Sequence, residues 1–113
     1  MWDVILLDEV RTWYMALGRN ESWAVTAAID RLEMYGPSLG RPTVDRLKGS
    51  KFHRMKELRP AGTDIRILFI FDPQRRAVLL VSGDKAGQWS QWYVDNIPMA
   101  ENRYEQWLTD GGK

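Results

Sequence analysis

Cysteine is absent from the 113 residues, and histidine occurs once, at His53. The first absence excludes disulfides and thiolate metal centres. It also fits a reduced, cytoplasmic setting, which is the expectation for localisation. A single histidine excludes a His-rich zinc or iron site. No tight cluster of carboxylates suggests magnesium, so no metal and no cofactor is expected. Neither a Ser-His-Asp nor a Cys-His arrangement can be assembled, because His53 has no nucleophile near it in sequence and reads as a strand-edge residue. No apolar run approaches the ~20 residues that a membrane span needs. The opening "MWDVILLDEV" carries acids where a signal peptide would carry a basic leader. "GDKAG" (Gly83–Gly87) lacks the spacing of a phosphate-cradling P-loop. Repeats, linkers and low-complexity tracts are missing too, and the length suits one domain over 1–113, with "GGK" as a frayed tail.

Net charge is also small, at +1. Its distribution is uneven. From Arg41 to Lys85 there are 11 Lys/Arg against 5 Asp/Glu, and outside that window 5 against 10. The middle is therefore +6 and the flanks −5. A basic middle can attract a polyanion even in a nearly neutral chain.

Hydrophobic periodicity supplies the elements. "WDVILL" reads as a short strand. Val10, Trp13, Tyr14 and Leu17 recur at i, i+3, i+4 and i+7 and predict a helix ended by Gly18. Asn20 is the expected N-cap of a second helix with Val25, Ala28, Ile29, Leu32 and Tyr35 on one stripe, stopped by Gly36-Pro37. "PSLGRPTVDRLKGSK" has no period and reads as a long surface loop. His53–Arg59, Ile65–Phe71 and Ala77–Ser82 read as strands, the last two joined by a "DPQRR" turn. "IPMAENRYEQWL" predicts a final helix with Pro98 near its first turn. The order β-α-α-β-β-β-α describes an α+β domain: a helical hairpin and a C-terminal helix covering a small, mainly antiparallel sheet.

The strand carrying Arg54, Lys56 and Arg59 has more cations than a structural strand requires. Alternation places Arg54, Lys56 and Leu58 on one face and Met55, Glu57 and Arg59 on the other. Arg66 lies on a face with Leu68 and Ile70. It could pair with Glu57 across strands as a structural ion pair. Alternatively, Lys56, Arg59, Arg66 and Lys85 converge on a phosphate, which the planar fork of arginine suits well. Trp89, Trp92 and Tyr93 follow Lys85. The tryptophans can serve as core, whereas Tyr93 beside cations could stack on a base or move a proton. Basic residues interleaved with aromatics suit single-stranded RNA.

Those same stretches, "KELRP", "DIRILFIFDPQRRAVLL", "SGDKAGQW" and "WYVDNIPMAENRYEQWL", resemble the RelE/ParE toxin superfamily, and most of all its phage-derived HigB-like branch. The resemblance runs from the helical hairpin to the last helix. It implies a toxin of a type II toxin–antitoxin system that cuts mRNA at the ribosome without a metal, by attack of a ribose 2′-OH on the adjacent phosphate. It also implies a helix-turn-helix, HigA-like antitoxin and a toxin–antitoxin hetero-oligomer. Under it, Arg66 takes the scissile phosphate, Lys56 and Arg59 are the basic positions of the preceding strand, and Glu57 competes with Lys56 as general base. Lys85 is the cation after the last central strand, and Tyr93 the C-terminal aromatic. Lys51, Arg54 and Trp92 are the further RNA-binding candidates. Two alternatives share the scaffold: a ParE-like inhibitor of DNA gyrase, and a non-catalytic remnant that only binds its antitoxin.

Overall fold

The computed structural model describes residues 1–112. Lys113, the end of the expected tail, lies outside the described residues. The elements in chain order are β1 (Val4–Leu6), α1 (Asp8–Met15), α2 (Arg19–Tyr35), a 3-10 turn (Gly36–Ser38), β2 (Val44–Arg46), β3 (Lys56–Leu58), β4 (Ile65–Phe71), β5 (Ala77–Asp84) and α3 (Ser90–Thr109). The α+β order stands as the sequence predicts it, with one more short strand, β2, inside the loop read as structureless. The five strands form one mixed sheet in the order β1-β5-β4-β3-β2. β1 runs parallel to β5, and the other pairs are antiparallel.

Local differences have local causes. The strand expected over His53–Arg59 shrinks to Lys56–Leu58, because the Met55 N–H bonds back to Phe52 in a turn. α2 starts one residue before the expected cap, with Gly18 in the extended N-cap position. α3 begins at Ser90 rather than near Pro98, which leaves Pro98 inside the helix. Gly111 and Gly112 close that helix with bonds to the Leu108 and Trp107 carbonyls.

The sheet separates two cores. On one face Ile65, Ile67, Phe69, Ala77 and Leu79 meet Val10, Val25, Ala28 and Leu32 of the helical hairpin. Leu68, Ile70, Val78, Leu80 and Val81 meet Trp92, Ala100, Tyr104 and Trp107 of α3 on the other. Apolar side chains on both faces of β4 and β5 thus follow from having a helical layer on each side. The tight β4–β5 turn is held by Asp72, which accepts from the Arg76 N–H at 2.9 Å, from Arg76 Nη2 at 2.7 Å and from the Trp107 indole at 3.0 Å.

One irregularity positions the site. Leu68 pairs with Val81 but Phe69 pairs with Leu79, so Leu80 is an extra residue in β5. Such a bulge reverses alternation beyond it. Ala77 and Leu79 face the hairpin, and strict alternation would send Val81, Gly83 and Lys85 there too. The bulge turns Val81 into the α3 core and Gly83 against the Trp92 ring.

Candidate functional site

Glu57 of β3 lies opposite Leu68, and Arg66 is two positions earlier on the same strand and face. The two side chains therefore meet diagonally, with Arg66 Nε 3.7 Å from Glu57 Oε1. From α3, Tyr93 donates its hydroxyl to that same oxygen at 2.6 Å. Lys85, turned inward past the bulge, holds its ammonium over the Trp89 ring at 4.5 Å and the Tyr93 ring at 5.7 Å from the centroids. Arg59 lies on the same face as Glu57 and reaches Asp45 at 3.7 Å.

Charge is concentrated here with little water. Glu57, Arg66 and Lys85 are all buried. Arg66 Nη1 donates to the Ile65 carbonyl at 2.8 Å, but Arg66 Nε has no hydrogen-bond partner among the described residues. Arg66 and Lys85 face the buried Glu57 carboxylate, while Arg59, paired with Asp45, acts on Lys85 from beyond them. Burial, then the Arg66 charge, hold the Lys85 ammonium below the ordinary lysine range, with Arg59 adding to them and Glu57 opposing. Burial and the bond to Glu57 push the Tyr93 phenol up to about 12. Tyr93 thus keeps its proton at neutral pH and donates a hydrogen bond to Glu57. A hollow of about 390 Å³ opens onto Glu57 and Tyr93, with Ser90, Arg41, Arg46 and Lys48 along its wall. No group of three or more His, Cys, Asp or Glu among the described residues could hold a metal ion.

The structure thus brings together Glu57, Arg59, Arg66, Lys85 and Tyr93, and it separates the others. Lys56 is adjacent to Glu57 in β3 and so points to the opposite face, over the Phe71 ring at 5.7 Å. It cannot serve as the base beside Arg66. Its ammonium is held low, as expected of a crowded lysine, but by burial and then Arg46. Arg54 lies in the turn before β3 and lines two hollows, one with Lys56 and one with Lys51, Ile70 and Tyr104. Lys51 is tied to α3 through Glu105 at 3.2 Å. Trp92 is buried against Gly83, where an added Cβ would meet its Nε1 at 2.8 Å, so its ring is unavailable for a base. The exposed aromatic is instead Trp89, 56% accessible and at a positive φ of 42°. Its exposure depends on the turn before α3, and the sequence carries only Gly87 as a signal of that turn.

Sequence reasoning also missed Asp45. Arg41 binds it at 3.1 Å, and that bond, the Arg46 N–H and the Arg59 charge keep its carboxyl below the usual range against a small cost of burial. An acid among the cations of an apparent loop was the available sign.

Comparison with known proteins identifies the family. The family model described as "Phage derived protein Gp49-like" matches residues 12–105. The protein named "Putative toxin HigB3" of Mycobacterium tuberculosis is 62% identical over 105 residues, which cover 93% of this chain and 92% of that protein. "Putative toxin HigB2" of the same organism is 43% identical over 105 residues, 90% of this chain but 52% of the relative, so the chain spans about half of HigB2. Matched across nearly its whole length, the chain belongs to the phage-derived Gp49-like family, in its HigB-like branch.

Proposed function

We propose that this protein is the toxin of a toxin–antitoxin pair and acts as a ribosome-dependent, metal-independent mRNA endonuclease. The observation that carries the reading is a buried carboxylate, Glu57, held between a phenol and an arginine whose Nε lacks a partner. Cleavage by a neighbouring ribose needs a base for the 2′-OH, cations for the charge that builds on phosphorus, and an acid for the departing 5′ oxygen. Glu57 takes the 2′-OH proton as the O2′–P bond forms. Arg66 and Arg59 stabilise the pentacoordinate phosphate. Lys85, which releases a proton more readily than an ordinary lysine, protonates the 5′ oxygen as the P–O5′ bond breaks. The products are a 2′,3′-cyclic phosphate and a free 5′-hydroxyl. Tyr93 orients Glu57, and Trp89 offers an exposed face for a base.

The two HigB names support the toxin role. The partner that follows is a helix-turn-helix, HigA-like antitoxin encoded beside the gene, whose co-expression should relieve growth arrest. Adding the purified protein to a translating extract and mapping mRNA 5′ ends tests the chemistry. New ends bearing a 5′-hydroxyl are expected. Intact mRNA in an actively translating extract would overturn the nuclease reading. Inhibited gyrase supercoiling in its place would make the protein a ParE-like inhibitor.

A further inference from the structure

The hollow at Glu57 does not end at the site. Its wall residues Arg41, Asp45 and Arg46 also line a second hollow at the edge strand β2, where Asp45 is paired with Arg41 and Arg59. That second hollow shares Lys56 with a third, of about 530 Å³, which holds Arg54, Lys56 and Arg75 beside Phe71. The three hollows are therefore neighbours around β2, each sharing wall residues with the next.

We propose that these adjoining basic hollows form a track for a single RNA strand, holding the phosphates that flank the one at Glu57. The proposal takes the catalytic reading above as the place where the strand begins. Among the described residues, no carboxylate pairs with Arg46, Arg54, Lys56 or Arg75. The acid that borders the third hollow, Asp72, is buried and committed to Arg76 and Trp107. Uncompensated cations at close range repel, and the Lys56 ammonium is held low by burial first and then by the Arg46 charge. A polyanion would relieve that repulsion. Two of the cations also sit on rings, Lys56 on Phe71 and Arg75 on Trp2 at 5.2 Å. Such rings fix long side chains on the surface and give the basic-plus-aromatic composition of single-strand grooves. β2 is short, and its edge is free of another strand, so a strand of RNA can pass around it.

The test uses fully 2′-O-methylated RNA, which has no nucleophile and cannot be cut. Fluorescence anisotropy would compare a labelled trinucleotide with an oligomer of about ten nucleotides, across a salt series. The full-length protein is set against Arg54→Gln/Lys56→Gln/Arg75→Asn, where asparagine suits the positive φ of 64° at Arg75. For the long oligomer the log–log salt slope should fall by about 2, near 0.7 per lost phosphate contact. Trinucleotide binding should not change. If the triple variant melts early, Arg46→Gln on the exposed edge should still lower the slope by about 0.7. Equal slopes in wild type and variants, or a long oligomer bound no better than the trinucleotide, would remove the track. Loss of antitoxin binding without any oligomer binding would assign the surface to a protein and equally overturn the proposal. Cleavage in the extract is read separately. Cut mRNA with unchanged slopes sinks only the track, and altered slopes with uncut mRNA sink only the catalyst.

Discussion

Glu57, Lys85 and Tyr93 each have a neighbourhood that dictates a measurable behaviour. Under the proposed mechanism Glu57→Gln, which removes the base and keeps its shape, should slow cleavage by about 10²–10⁴-fold, read by single-turnover assay on programmed ribosomes. Lys56→Gln should leave the chemical step at saturation unchanged, because its side chain is on the other face. Lys85 is buried with its ammonium held low, so at neutral pH its charge costs stability. That cost shrinks as pH rises through its folded-state value towards 10.5. Lys85→Met should therefore raise stability at pH 7 by about 1 kcal/mol, roughly 4 °C, with the gain narrowing in alkali and cleavage falling. A lower melting temperature would show that Lys85 contributes more through its rings than it costs. Tyr93 has the opposite sign. Its folded value of about 12 lies above that of an unfolded phenol, so its contribution is whole below pH 10 and is lost between 10 and 12. In an absorbance titration at 295 nm, Tyr93→Phe should delete a late-ionising component.

At the scale of elements, legibility depended on length. α1, α2, β4 and β5 carry enough residues for a period to declare itself. β2, with three residues, does not. It exists because β3 offers an unpaired edge, and the Arg59 N–H reaches the Thr43 carbonyl at 2.7 Å just past the paired stretch. Two-residue alternation did separate Lys56 from Glu57 correctly, yet it could not say which face held the chemistry. That is set by the Leu80 bulge, which no residue type announces, and by α3 starting at Ser90 so that Tyr93 overhangs Glu57. The choice between Trp89 and Trp92 was decided the same way, by Gly83 leaving a space that one indole fills. Gly83→Ala should force Trp92 to move, costing about 1–3 kcal/mol and reducing cleavage through Tyr93. The β4–β5 turn provides a control away from the site. Burial pushes Asp72 up, but the Arg76 N–H, the Arg76 guanidinium and the Trp107 indole carry it below its ordinary value. Its stabilisation is full above pH 3.8 and fades as pH falls through the folded value. Asp72→Asn should cost about 3 kcal/mol at pH 7, less in acid, while cleavage per folded molecule stays constant.

Seen whole, the molecule explains why a net charge of +1 misleads. Helix acids and loop cations meet in pairs such as Lys51–Glu105, and only the three-dimensional arrangement brings Arg46 beside Lys56. The split between a basic middle and acidic flanks was visible in the chain, whereas the adjacency of the hollows around β2 was not. Folding order follows from the sheet as well. β1 lies parallel to β5, so Val4 must wait for Ala77, about seventy positions later, before the first strand has a neighbour. Pairings of such sequence separation are slow to form. A chain still emerging during its own synthesis would have the helical hairpin but neither β5 nor Lys85 and Tyr93. Under the proposed function, the site that would act on the ribosome is thereby unassembled until Tyr93 has emerged.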